Sequence, residues 1–174
     1  MYDVVVIGGG PGGYAAAIRA SQLKGKVALV EGGNMGGTCV MRGCIPSKIW
    51  LRAATLLEQS RKAGEFGLEL TVGKLDFTAV LARKQGVSND IRMGMEALLA
   101  NNGVDVIPGM AVVTSPTSVD VAGKKVEAKS IIIATGSTLA KPEVPGLDQA
   151  AFTTDQLLDM TEAPASVLIT DPTY

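Results

Sequence analysis

The sequence predicts an α/β fold, with a parallel sheet held between a layer of helices and a small antiparallel meander. Three observations carry that prediction. Two short apolar runs, DVVVI at 3–7 and VALVE at 27–31, flank a helical stretch at 12–24 and so form a βαβ unit. A long helical pattern from Asp76 to about Asn101 leads into a third apolar run. Residues from about 111 to 130 then read as an antiparallel meander.

Each element has its own signature. The first helix carries Ala15, Ala16, Ile18, Ala20 and Leu23. Pro46 marks the start of a second, at roughly 46–63, with Ile49, Leu51, Ala54, Leu56 and Leu57 on its apolar side and Gly64 and Gly67 to end it. In the third, Phe77, Val80, Leu81, Val87, Ile91, Met95, Leu98 and Leu99 recur at three- and four-residue steps, and Gly86 and Gly94 are candidate bends. VDVIPG, after Gly103, reads as a third parallel strand, and the meander feeds a further strand at Ile131–Ala134. Residues 138–163 read as connecting chain with Pro142 and Pro145 and a short helix near 154–160, and SVLIT at 166–170 as the start of one more strand.

The composition removes several classes of function. With 174 residues, 47% of them hydrophobic, the chain can bury an ordinary core, and 21 glycines point to tight turns rather than disorder. A net charge of -1 argues against nucleic acid as a partner. No apolar run is long enough to span a membrane, and MYDVVVIGGG lacks the features of a secretion signal, so a cytoplasmic location is expected. The absence of histidine excludes histidine metal sites, Ser-His-Asp hydrolysis and a histidine base.

The first chemical motif is GGGPGG at 8–13, which places Gly8, Gly10 and Gly13 in a GxGxxG pattern between strand and helix. Gly8 permits the turn, Gly10 lets the backbone approach a pyrophosphate, and Gly13 allows close helix–strand packing. The helix start offers free N–H groups to phosphates. Glu31 ends the second strand, 21 residues after Gly10, where its carboxylate can accept bonds from an adenosine ribose. These features fit FAD or NAD, while Glu31 repels the extra phosphate of NADP.

The second motif is GGTCVMRGCIPSK at 36–48, which holds both cysteines of the chain. Three readings are open: a redox pair, half a metal site, or two small buried residues. A metal would need further cysteine or histidine ligands, and none remain. Cys44 lies beside the start of the helix at Pro46, where a thiolate is favoured, and Lys48 adds positive charge one turn on.

This motif closely resembles the active-site segment of the FAD-dependent pyridine nucleotide–disulfide oxidoreductases, most of all the dihydrolipoamide dehydrogenase branch. The resemblance covers almost the whole chain, with GGGPGG, Glu31, the dithiol motif and IIIATGS at 131–137 in the family's order. It implies a three-layer Rossmann-like FAD/NAD(P)-binding domain. It further implies that Cys39 lies next to the isoalloxazine ring, that Cys44 is the interchange thiol that meets the substrate, and that Lys48 lies near flavin N5. Gly8, Gly10, Pro11, Gly12, Gly13, Glu31, Gly32, Gly36, Gly37, Thr38, Met110, Ala111, Ala134, Thr135 and Gly136 would complete the cofactor site, with Ala111 near the adenine. Ile45 is the modest feature that favours the lipoamide branch over the glutathione and mercury branches, and Met41 departs from an asparagine often found in the family.

For the complete enzyme the resemblance implies electron flow from dihydrolipoamide, free or carried on a lipoyl domain, through Cys44 and Cys39 to FAD and then NAD. It also implies a homodimer whose interface domain supplies a His–Glu pair, which this chain lacks. The expected division is an incomplete FAD-binding domain at 1–163, followed by a linker and the start of a truncated NAD-binding domain at 164–174. Thr170-Asp171-Pro172 stands where a second glycine fingerprint would begin. The alternatives are another flavin disulfide reductase, of glutathione- or mercuric-reductase type, and a non-catalytic flavin-binding redox module.

Overall fold

A computed structural model describes residues 1–140, 145–147 and 151–169. Its six strands are β1 (Tyr2–Ile7), β2 (Val27–Glu31), β3 (Asp105–Pro108), β4 (Ala111–Ser115), β5 (Ser118–Val121) and β6 (Lys124–Ile133). Its helices are α1 (Pro11–Gln22), α2 (Gly37–Met41), α3 (Cys44–Arg61), α4 (Phe77–Asn101) and α5 (Thr154–Leu157). The strands lie in the order β3-β2-β1-β6-β5-β4. Pairing is parallel from β3 to β6 and antiparallel from β6 to β4.

The period of two in a strand explains the three layers. Val6 of β1, with Val27 and Leu29 of β2, packs under Ala17 of α1 and Leu99 of α4. Their neighbours Val5, Ile7, Ala28 and Val30 face the other way, onto Val119 and Val121 of the meander. Both faces of the parallel strands are therefore covered, which is why the runs are apolar throughout rather than alternating.

Some boundaries differ from expectation. The last strand of the meander and the strand it feeds are one continuous strand, β6, whose first part pairs with β5 and whose second part pairs with β1. Helix α4 runs unbroken through Gly86 and Gly94, where an added Cβ would meet nothing within 4 Å. Asp76 caps it by accepting from the N–H groups of Thr78 at 2.9 Å and Ala79 at 3.2 Å. Helix α3 begins at Cys44, two residues before the expected start, because Pro46 is accommodated within a first turn that needs no N–H partners.

The short helix near 154–160 is limited to one turn, closed by a capping box between Thr153 and Gln156. Residues 166–169 form no strand: Val167, Leu168 and Ile169 are exposed and pair with nothing among the described residues, and a strand exists only through its neighbour. Thr170, the last residue of that expected strand, and Pro142 lie outside the described residues, as does the 170–172 segment.

The strand order reverses between β1 and β6, where the chain passes to β2 on one side and returns on the other. Ligands of doubly wound sheets bind at the carboxyl ends of strands at such a point. Ile7 pairs with Ile133 here, so Gly8 and Ala134 leave the sheet side by side.

Candidate functional site

The glycines at this switch point divide into two groups. At Gly8 (φ 104°) a Cβ would lie 2.2 Å from the Ala134 carbonyl oxygen, and at Gly13 it would lie 1.7 Å from that of Gly8. These two positions are closed by backbone, as the helix–strand packing role requires. At Gly10 a Cβ would come no closer than 3.9 Å to Gly37, and at Gly12 it would meet nothing. Those two present bare backbone to open space.

That space is a cavity of about 420 Å³, lined by Gly8, Gly10, Pro11, Gly12, Glu31, Gly37, Thr38, Arg42 and Ala134–Ser137. Helix α1 points its start at it. Gly10 provides no side-chain cap, Pro11 occupies the first position, and no acidic side chain stands in the first turn. The free N–H groups at this start suit a phosphate. The glycine cradle, the open helix start and the nearby carboxylate together fit a dinucleotide.

The Glu31 carboxylate lines the cavity and is fixed by two backbone N–H groups, of Gly9 at 2.5 Å and Gly33 at 2.6 Å. Carboxylate oxygens have further lone pairs free for a ribose hydroxyl. Gly32 packs against Met110, since a Cβ there would lie 2.4 Å from the Met110 sulfur, and the Gly109 N–H donates to the Glu31 carbonyl at 2.9 Å. Met110 and Ala111 thus stand beside the Glu31 end of the site without lining the cavity.

Cys39 and Cys44 are both free thiols, Cys39 half-buried and Cys44 exposed. The Cys44 side chain first, then burial and the charge of Cys44, hold the Cys39 thiol pKa above the ordinary thiol value, with the Lys48 charge and the Cys44 backbone N–H pulling more weakly the other way. Cys44 is the first residue of an eighteen-residue helix capped only by Gly43, where unpaired N–H groups favour negative charge. Of the sequence-predicted residues, Cys39, Cys44, Lys48, Gly13, Gly32 and Gly36 do not line the 420 Å³ cavity. Gly36 instead lets the loop close, since a Cβ would lie 2.6 Å from Val40.

A second cavity, of about 620 Å³, lies on the other side of this segment and is lined by Thr38, Arg42, Gly43, Ser47, Ser137–Leu139 and residues of α5. Thr38, Arg42 and Ser137 line both cavities, so the dithiol segment borders each of them through Thr38 and Arg42. Arg42 pairs with Asp155 at 3.4 Å across the second cavity. The sequence reading missed Gly9, Arg42, Ser137 and Asp155. Arg42 carried a visible signal, a cation placed between the two cysteines.

Comparisons with known proteins agree with this geometry. Residues 2–170 match the model of the pyridine nucleotide-disulphide oxidoreductase family. The chain is 39% identical to a dihydrolipoyl dehydrogenase of Acholeplasma laidlawii, over 97% of this chain and 52% of that one. It is 40% identical to the dihydrolipoyl dehydrogenase of Bacillus subtilis, over 97% and 38%. It is also 34% identical to a mercuric reductase of Staphylococcus aureus, over 99% and 32%. Among solved structures, the HOCl-induced flavoprotein disulfide reductase RclA from Escherichia coli superposes with a TM-score of 0.72 at 29% identity, over 92% of this chain and 34% of that one. The chain thus spans about half or less of the length of these relatives. Fold, motif order and family match converge, and the chain belongs to the pyridine nucleotide-disulphide oxidoreductase family.

Proposed function

We propose that this chain is the FAD-binding, dithiol-bearing part of a flavin-dependent disulfide oxidoreductase of dihydrolipoamide dehydrogenase type. The observation that carries the reading is the placement of Cys39 in α2 and Cys44 at the start of α3, in a segment that borders a glycine-lined dinucleotide cavity. Gly10, Gly12 and the start of α1 would hold the pyrophosphate, and Glu31 the adenosine ribose. When bound, FAD supplies two-electron transfer between the dithiol and NAD+. The chain's own residues supply the thiol chemistry. A thiolate of dihydrolipoamide attacks one sulfur of the Cys39–Cys44 disulfide, the other sulfur leaves as thiolate, and a second exchange releases lipoamide. Nearly all of the chain aligns with two dihydrolipoyl dehydrogenases at 39–40% identity, against 34% for the mercuric reductase, which favours the lipoamide substrate.

The order of the two cysteines has a second reading, which the start of α3 favours. A sulfur that donates charge to a flavin must be a thiolate. Cys44 is the first residue of α3, where unpaired helix N–H groups favour an anion. That arrangement makes Cys44 the flavin-side sulfur and Cys39 the interchange sulfur, the reverse of the order that the motif resemblance implies.

Single-cysteine variants of the FAD-loaded chain test both levels. Cys39→Ser and Cys44→Ser are each examined for the long-wavelength absorption of a thiolate beside the flavin. The band should survive in the variant that keeps the flavin-side sulfur, expected to be Cys39→Ser. Survival only in Cys44→Ser would restore the other order. No band in either variant or in the reduced parent chain, with FAD bound, would remove the relay reading altogether.

A further inference from the structure

We propose that Ser88 is a positioning residue for the redox pair, holding the segment that joins the two cysteines and so setting how readily they close to a disulfide. The inference rests on the reading of Cys39 and Cys44 as a redox couple. Helix α2 has only five residues, so its last carbonyls lack intrahelical partners. The Ser88 hydroxyl donates to one of them, the Val40 carbonyl, at 2.9 Å. Ser88 is 4% exposed and Val40 5%, so water does not compete for this bond.

Val40 directly follows Cys39 and is held at two points. Gly36 admits its side chain at a distance that a Cβ would forbid, and Ser88 holds its carbonyl. Ser88 itself stands mid-way along α4, a helix fixed by the Asp76 cap at one end and buried Leu99 at the other. At the far end of the same segment, the Gly43 carbonyl accepts from the Ser47 N–H at 2.9 Å and hydroxyl at 2.8 Å. The inter-cysteine segment is therefore anchored at both ends.

A disulfide requires a narrow range of Cβ separations and torsions, so a segment that fluctuates lowers the effective concentration of one thiol at the other. Loss of the Ser88 bond should favour the open dithiol. A hydroxyl present only for packing would leave the couple unchanged.

The test equilibrates the purified chain in anaerobic buffers of reduced and oxidised glutathione, then counts alkylated cysteines by mass. Forming the protein disulfide breaks two S–H bonds and makes one S–S bond, and glutathione disulfide takes up the two electrons and two protons as two glutathione molecules. Ser88→Val and Ser88→Thr are matched in shape and differ in the hydroxyl. Ser88→Thr is expected to stay within about twofold of the parent equilibrium constant, whereas Ser88→Val shifts it about tenfold toward the dithiol, or about 30 mV. In Ser88→Val the Cys39 thiol should also titrate at lower pH, since Cys44 is the largest cause of its raised value. Equal equilibrium constants for Ser88→Val and Ser88→Thr overturn the proposal, and Ser88→Ala replaces Ser88→Val if circular dichroism shows the latter unfolded. A parent chain that forms no Cys39–Cys44 disulfide in any of the buffers overturns the redox reading with it.

Discussion

Single residues at this site act through contacts that a substitution can isolate. The Cys39 thiol pKa is raised first by Cys44, then by burial, with Lys48 opposing. Cys44→Ala removes the largest cause, so the pH midpoint for alkylation of Cys39 should fall in that variant. An unchanged midpoint would mean that burial, not the partner thiol, holds the proton. The linkage has a definite sign. A folded value above the unfolded one stabilises the fold below the ordinary thiol range, and the contribution is lost as pH rises through the raised value. Backbone demands written in local spacing were legible in the sequence: the close approaches at Gly8 and Gly13 follow from a motif whose geometry is internal to one turn. Contacts between distant residues were not. The Gly9 N–H reaches Glu31 across 22 positions and Arg42 reaches Asp155 across 113, and no local pattern encodes either.

Elements were readable where they are long. The three- and four-residue steps of α4 announced it, and the helix runs without interruption through Gly86 and Gly94. Helix α2 is too short for periodicity to register and lies between Gly36, which has a positive φ, and the second cysteine, so only the fold reveals it. The docking of α5 was equally invisible. Leu158, just after α5, offers its carbonyl to Trp50 Nε1 and to Lys84 Nζ, both at 3.1 Å, while Lys84 also pairs with Asp159. The Lys84 side chain is 7% exposed and that of Asp159 is 71% exposed. This asymmetry predicts unequal variants. Asp159→Ala leaves a buried ammonium with only a carbonyl for company and should cost about 1–3 kcal/mol in urea unfolding. Lys84→Met removes the charge, leaves the Trp50 bond to Leu158 in place, and should fall within about 1 kcal/mol of the parent. A larger loss for Lys84→Met than for Asp159→Ala would show that the ion pair itself, rather than the avoided burial of a lone charge, anchors this wall of the second cavity.

At the scale of the whole molecule, stability and cofactor affinity are linked because the dinucleotide cavity exists only when β1, β2 and β6 are assembled. Glu31 comes from β2, the glycine loop follows β1, and Ala134–Gly136 follow β6, so an unfolded chain offers no such site. A ligand that binds only the folded state at a hundred times its dissociation constant adds about 2.7 kcal/mol. For a chain of this size, that corresponds to a rise of about 5–10 °C in Tm. The proposed FAD site also makes a prediction about which part of FAD carries the effect. On that proposal, the open start of α1, the bare backbone at Gly10 and Gly12 and the Glu31 carboxylate would address the pyrophosphate and adenosine. Thermal unfolding followed by Trp50 fluorescence should therefore rise with FAD, rise in part with ADP, and stay unchanged with riboflavin, which lacks both phosphates and adenosine. Stabilisation by riboflavin but not by ADP would place the main binding energy at the ring and overturn the assignment of the glycine-lined cavity to the phosphates.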